Sequence, residues 1–586
     1  MTIGTAMRGK GRISFINAAS LAMVALILSP NAATAQQTGA QQAADALRRL
    51  EQTPAPLAAE SAPPAPAPLP EGADKVVPVT AIALVGRDGV ALGPEDGLPL
   101  GALEGILTPL AGASPTVGDI ILATEALKAR LRGDGFLFTS VSDAAVRGDG
   151  NGGATLIVAI TGVTIDAVTV TSPDSEDASP AMFAALERIV RPLEGKRNPR
   201  LQDLERASLL ASDISGVRRA TFVPAAGDEA GQLKLFLNVE HHPFDAVLFA
   251  DNRQSPTLGP VLAGAILSFN SWNSLAGTTE LALFNSLGDS DGLDLEERNT
   301  VQLTQRVVLG ENATMVEARA LYSASAPGDE LTPLGLTSKE LEFGLSVEHP
   351  FMRTRSFSVW GAIGGTWTNS TSDLSSGVAL SDDTMSVGWA RLRALQRDEG
   401  GYTTASAELR GGFDVLGASE QGDLTLSRVG SSGEFTALRL SLERSQTLFD
   451  RFSLFGRATA QFTNDRLLVG EQITAGGGLY AKAYDPSEQS GDRGYMVYGE
   501  LRYDQETTIQ GEELGMQFYT FADYAELKLL DFNALPHSDL SSMGVGVRLR
   551  YDRTNLELEV AAPTGGALAR NDSLAPRFYF SLTQRF

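Results

Sequence analysis

The sequence predicts two small α+β units followed by an antiparallel β-barrel that crosses a membrane, behind a cleavable export signal. Three observations carry this reading. From about residue 245 onward the chain breaks into strand-length segments that alternate apolar and polar side chains, with Val261, Ala263, Ala265, Leu267 and Phe269 on one face of the first. Such period-two segments of roughly 10 residues suit a closed sheet in lipid, where every backbone group must find its partner inside the sheet. Outside the first 35 residues no apolar run approaches the ~18 residues that a helical span needs. The last segment places Phe578, Phe580, Leu582 and terminal Phe586 on one face, against Tyr579, Ser581, Thr583 and Arg585 on the other. A soluble β-sandwich also alternates, so alternation alone does not dismiss it. About 340 residues, at about 20 per strand and connection, allow roughly 16 strands.

Taken in order, residues 1–35 form a secretory signal: Arg8, Lys10 and Arg12, an apolar stretch over 15–28, and Ala33-Thr34-Ala35 before Gln36. Cleavage falls between Ala35 and Gln36, the alternative being a retained anchor. The chain has no cysteine, so neither a lipid anchor on that residue nor a disulfide is available. Within 36–53, residues 41–51 place Ala44, Leu47 and Leu50 on one helical stripe. A helix this short is marginal alone in water, and a disordered tail is the alternative. Residues 54–75 are a linker with seven prolines between 54 and 70.

The first α+β unit spans 76–163. Residues 76–85 read as a strand, 117–131 as a helix through Ile120, Ala123, Leu127 and Leu131, and Gly133-Asp134-Gly135 as its stop. Strands follow at 136–141 and 154–160, giving a β-α-α-β-β order. The second unit, 164–243, repeats it with strands at 165–170, 220–224 and 233–239 and helices at 180–190 and 201–212. Within the barrel, 244–586, two further segments show one-sided faces: Phe357, Val359, Ile363 and Trp367, and Leu454, Gly456, Ala458, Ala460 and Phe462 opposite Ser453, Arg457, Thr459, Gln461 and Thr463.

A formal net charge of −24 argues against nucleic acid as a partner. The four histidines, His241, His242, His349 and His537, have no metal-site spacing, so no metal is expected. Gly288-Asp289-Ser290-Asp291-Gly292 matches the hydrolase elbow pattern, but a strand rather than a helix follows it, which makes it a hairpin turn. No phosphate loop or dinucleotide fingerprint occurs, no cofactor is implied, and the chain reads as a non-enzyme.

Residues 468–503 (LVGEQITAGGGLYAKAYDPSEQSGDRGYMVYGELRY) stand apart. A long Gly- and charge-rich loop leads into a strand whose Val497, Leu501 and Tyr503 face one way and Tyr498, Glu500 and Arg502 the other. Loops of this length inside a regular β region are commonly functional. This loop resembles the barrel-entering loop of the two-partner secretion outer-membrane transporters, the hemolysin and filamentous hemagglutinin secretion-activation family within the POTRA-plus-β-barrel superfamily. The family's (Val/Ile)-Arg-Gly-(Phe/Tyr) tip is matched by Ala481, Lys482, Ala483 and Tyr484, followed by Asp485; its turn by Gly491, Asp492, Arg493 and Gly494; and its Phe-x-Asp-x-Gly wall strand by Phe521-Ala522-Asp523-Tyr524-Ala525. The family arginine is lysine here and two glycines are alanines. The resemblance implies that Lys482 pairs with Asp523 as a point charge, unless Arg493 supplies the fork that only an arginine makes.

Other segments extend the resemblance. Leu204-Glu205-Arg206-Ala207 and Ile214-Ser215-Gly216-Val217 resemble the second POTRA domain, and Gly135-Phe136 the Gly-aromatic junction of the first. Asp251-Asn252-Arg253 resembles the segment opening the barrel, and Glu348-His349-Pro350-Phe351 a strand-turn signature. The implied architecture is a plug helix, two periplasmic POTRA domains and a 16-strand barrel in the bacterial outer membrane. The implied function is secretion of an unfolded exoprotein client, which the POTRA domains recognise. During biogenesis the implied partners are periplasmic chaperones, the barrel-assembly machinery that reads Phe578, Phe580, Leu582 and Phe586, and outer-membrane lipid; a monomer is expected. The alternatives are an insertase of the same superfamily and a passive channel or receptor.

Overall fold

The structure, a computed structural model, describes residues 39–50, 69–148, 153–172, 179–272, 276–287, 298–509, 511–530, 539–565 and 575–586. The signal with its Ala35–Gln36 cleavage point and the Gly288–Gly292 segment lie outside them, as do His537 and most of the proline linker.

Each α+β unit is a small sheet under two helices. In the first, β1 (Val79–Val85) runs parallel to β4 (Ala154–Thr161), which also pairs with β2 (Ser140–Val141) and β3 (Ala145–Gly148). Alternate β4 residues Leu156, Val158 and Ile160 pack beneath α2 (Leu100–Leu107) and α3 (Val117–Gly133). Thr116 opens α3 by accepting the N–H of Asp119, whose carboxylate accepts the Thr116 N–H in return, a reciprocal cap. The expected strand at 136–141 shrinks to Ser140–Val141. Gly135 sits at φ 86, which turns Phe136 into the core, and Arg200 of the second unit lies 4.9 Å over its ring. Those residues form a joint between units, and sheet pairing passes instead to β3, which the sequence pattern did not reveal.

The second unit repeats the plan with β5 (Thr164–Thr171), α4 (Pro180–Val190), α5 (Leu201–Ser212), β6 (Val217–Ala226) and β7 (Gln232–His241), in sheet order β5-β7-β6. It is seated on the barrel base. Arg353 donates both ends of its fork to Asp213 at 2.8 and 2.9 Å, and Val308 and Ala313 join the unit's core. Gly216 sits at the contact with φ 83, and a Cβ there would meet the His242 carbonyl and Asn270 at 2.6 Å. The Ser215-Gly216 turn is therefore a close approach that only glycine allows.

Sixteen antiparallel strands, from β8 (Phe244–Asp251) to β25 (Arg577–Arg585), close into a barrel. β8 and β25 pair through Ser581↔Asp251 to Arg585↔Val247. Asn252 extends that seam by accepting the Phe580 N–H at 2.7 Å and donating to the Phe578 carbonyl at 3.1 Å. The outward rows are those read from the sequence: Phe269, Ile363, Leu454, Phe462, Phe578 and Leu582 are all exposed toward lipid. Glu348-His349-Pro350-Phe351 lies within β13 (Thr337–Arg353), where a bulge follows Pro350, rather than in a turn. Strands β10 (Thr278–Leu287) and β11 (Arg298–Leu309) pair antiparallel on either side of 288–292, as a hairpin requires.

Inside the barrel lies α1 (Gly39–Leu50). Ala43 and Ala46 pack on Phe249, Leu262, Ile266, Ala282 and Phe284, the inward residues of β8, β9 (Val261–Asn270) and β10. Arg49 pairs with Asp251 at 3.3 Å, the Ala40 N–H donates to Glu340, and Arg585 donates to the Leu50 carbonyl. Barrel walls supply the partners that a 12-residue helix lacks in water.

Candidate functional site: a loop folded into the lumen

The connection from β18 (Phe452–Thr463) to β21 (Arg493–Ile509) enters the barrel instead of the outer solvent. It descends through the short ladder of β19 (Ile473–Ala475) and β20 (Gln489–Gly491), and its tip residues Lys482, Ala483, Tyr484 and Asp485 are all buried. Left-handed backbone at Ala481 (φ 49) and Ser487 (φ 56) brackets the tip.

The tip docks on the wall formed by β22 (Glu512–Lys528), β23 (Asp539–Tyr551) and β24 (Thr554–Gly565). Asp523 accepts the backbone N–H of Lys482 at 3.1 Å and the N–H and hydroxyl of Ser542 at 3.0 and 2.6 Å. The expected Lys482–Asp523 side-chain pair is therefore corrected. The turn at Ala481 aims the amide at Asp523, while the longer side chain runs past it and its Nζ reaches the Glu559 carboxylate, with Glu557 at 4.0 Å. Phe521 stands below the ammonium, 4.6 Å from Nζ to the ring centroid. Arg493 is exposed at the start of β21 and supplies no fork. Tyr484 donates its hydroxyl to the Ser541 and Gly565 carbonyls, and Asp485 pairs with Arg577 of β25 at 2.5 Å.

Around Lys482 the lumen carries a compact charge lattice. Glu559 also holds Arg253 at 3.1 Å, and Tyr519 donates to Glu557 and Glu559, each at 2.8 Å. Arg548 bridges Glu557 to Glu500, and Arg502 and Tyr498 complete Glu500. Sequence reasoning missed Glu557 and Glu559. The signal was available as two carboxylates at period two in Leu556-Glu557-Leu558-Glu559, facing inward while their neighbours face lipid.

A second anchor holds the loop's neck. Glu471 receives a two-pronged fork from Arg410 at 2.7 and 2.9 Å and a further bond from Arg439 at 3.1 Å. Asp492, fully buried, pairs with Arg428 and accepts the N–H groups of Leu467 and Leu530 at 2.9 and 2.6 Å. The Gly491–Gly494 turn thus fastens three outer connections, through Asp492 and not through Arg493. Above it, Leu426, Leu467 and Leu468 pack on Met385 and Val387 across the mouth.

Helix α1 and the loop meet. A Cβ on Gly478 would lie 2.6 Å from Nη1 of Arg49, so the two lumen occupants touch through a residue with no side chain. Beside them lies a cavity of about 560 Å³ lined by Asp45 and Arg48 of α1, Tyr480 of the loop and wall residues including Arg298 and Arg391. Among the described residues no group of three or more His, Asp or Glu is placed to hold a metal ion.

A sixteen-strand barrel with periplasmic α+β units, its lumen filled by a helix and an inturned loop, defines a polypeptide-handling pore of the outer membrane. Residues 234–549 match the family model for the haemolysin secretion/activation protein ShlB/FhaC/HecB, and the chain belongs to that family. Among solved structures it is similar to CdiB from Escherichia coli, at 17% identity with a TM-score of 0.70 over 100% of both chains. It is similar also to CdiB from Acinetobacter baumannii, at 14% identity and a TM-score of 0.65 over 96% of this chain and 99% of that one. No curated protein sequence matches it. The protein is an outer-membrane two-partner secretion transporter whose partner is a secreted exoprotein.

Proposed function

We propose that the lumen loop is the conformational latch of this transporter, with Lys482 as its release point and α1 as a removable plug. The observation that carries this reading is the ammonium–carboxylate contact at the tip: a rotatable point charge joins Lys482 to Glu559 of β24, beside the Tyr484 hydroxyl bonds and the Asp485–Arg577 pair, whereas Glu471 at the neck is held by a guanidinium fork. In this reading the periplasmic units catch the unfolded client, partly by adding strands at sheet edges. The tip and helix then leave the lumen and the chain passes outward. The outward row Phe578, Phe580, Leu582 and Phe586 serves the assembly machinery before that, with chaperones delivering the unfolded precursor, and the closed barrel works as a monomer. No step calls for bond-breaking chemistry by this chain.

Single-channel conductance in planar bilayers tests the plug, comparing the mature chain with one lacking residues 39–50. A higher open conductance after deletion is the expected result; equal conductance removes α1 from the gate. Export of a client in cells carrying Lys482→Ala tests the latch: barrel insertion stays normal and secretion falls. Wild-type secretion from that variant would remove the tip from the mechanism.

A further inference from the structure

The lipid-facing band of the barrel has a gap, and a piece of outer loop fills it. On β14 (Phe357–Asp373) the outward row runs from Phe357 through Ile363 to Trp367 and then turns polar with Asn369, Thr371 and Asp373. Trp367, stacked 6.1 Å from outward Phe343 of β13, marks the upper aromatic girdle. On the neighbouring β15 (Ala379–Asp398) and β16 (Gly401–Gly412), however, the outward positions at this height are Thr384, Ser386, Gly388 and Gly411. Two hydroxyls and two bare backbones at the edge of the hydrocarbon leave polar groups without apolar cover.

Residues 413–419 close that gap. The Phe413 N–H continues the β15 ladder by donating to the Ser386 carbonyl at 2.9 Å, and its ring covers the two glycines: Cβ atoms on Gly388 and Gly411 would lie 2.9 and 3.5 Å from it. The Ser386 hydroxyl donates to the Val415 carbonyl at 2.8 Å, and Ser419 Oγ accepts the Thr384 N–H at 2.9 Å. The Trp367 indole N–H donates to the Leu416 carbonyl at 3.3 Å, pinning the segment to the girdle. Leu416 adopts φ 55, a conformation leucine enters at a cost. The Val415 and Leu416 carbonyls and the Ser419 hydroxyl turn to the wall, and the segment presents Phe413, Val415 and Leu416 outward with exposed Asp414 among them, Leu416 being 76% exposed. These three exposed apolar side chains stand on the same outward face as exposed Ile363, Leu392 and Leu409 of the barrel wall.

We infer that Phe413, Val415 and Leu416 form a membrane-inserted wedge that completes the lipid-facing girdle and contacts the acyl chains of the outer leaflet. The loop that follows carries Leu426 and Arg428 to the neck anchor, so the wedge ties the outer mouth to the bilayer.

The test uses the absence of cysteine in the chain. Leu416→Cys, Leu345→Cys on the barrel's lipid face and exposed Glu420→Cys are each labelled with bimane in the full-length protein and reconstituted into phosphatidylcholine vesicles. Emission is then read with brominated lipid or with aqueous iodide. The inference expects Leu416→Cys to lose the same fraction of emission to brominated lipid as Leu345→Cys and to resist iodide, while Glu420→Cys does the reverse. Iodide quenching at Leu416→Cys, or quenching by neither agent, would overturn it: the first places the wedge in water, the second under protein.

Discussion

The two ends of the inturned loop are anchored by differently composed charge pairs. At the neck the loop offers carboxylates, Glu471 and Asp492, and its surroundings answer with Arg410, Arg439 and Arg428. At the tip the loop offers a cation, Lys482, to Glu559 and Glu557, alongside one carboxylate, Asp485, to Arg577. A fork shared over two carboxylate oxygens fixes both distance and orientation, whereas an ammonium on four methylenes fixes distance only. In the proposed mechanism the neck is the hinge that stays put and the tip the contact that is exchanged.

The largest expected effect breaks the hinge. Glu471→Gln leaves Arg410 and Arg439 without their shared counter-charge and lowers barrel stability by about 3–5 kcal/mol, the usual consequence of breaking a buried ionic cluster. Unfolding followed in urea by the loss of the unboiled gel band measures it. Lys482→Ala costs less, about 1–3 kcal/mol, because Glu559 keeps Arg253 at 3.1 Å; its signature is lost secretion with the folded band preserved. If both variants fell equally in stability, the distinction between hinge and latch would fail. Lys482→Arg sharpens it further. A guanidinium spanning Glu557 and Glu559 holds the tip more firmly, so channel openings become rarer with no loss of stability.

Smaller still is an effect far from the loop. Thr116→Ala removes the α3 cap for about 1 kcal/mol and leaves conductance unchanged. The Asp119 carboxyl titrates below its ordinary value because the Thr116 N–H and hydroxyl bond its charged form. The sign follows from that lowering. Its stabilisation is present above the unfolded carboxylate range and is lost as pH falls through the folded value. Hydrogen exchange of the first turn of α3 should accelerate in that acid window, more in wild type than in Thr116→Ala.

How much of this was legible beforehand depended on the range of each interaction. The two helices of the second unit and the outward barrel rows follow from local periodicity, and the structure reproduces them within a few residues. The 136–141 strand was misread because Gly135 and Phe136 answer to Arg200, more than sixty residues later. The tip was found by its loop composition, and Asp523 by its wall-strand pattern. The nature of their contact was not, since backbone and side chain of one lysine address different strands.

The sequence by itself determined the class of fold and the alternation that sends Val497 to lipid and Glu500 to the lumen, because period-two chemistry is written residue by residue. Only tertiary structure decided which charges meet. Lys482 and Glu559 are 77 positions apart and Arg253 and Glu559 306 apart; the inward fold of the loop brings the first pair within one hydrogen bond, and closure of the barrel the second. No local pattern encodes that closure, because it is a property of sixteen strands together.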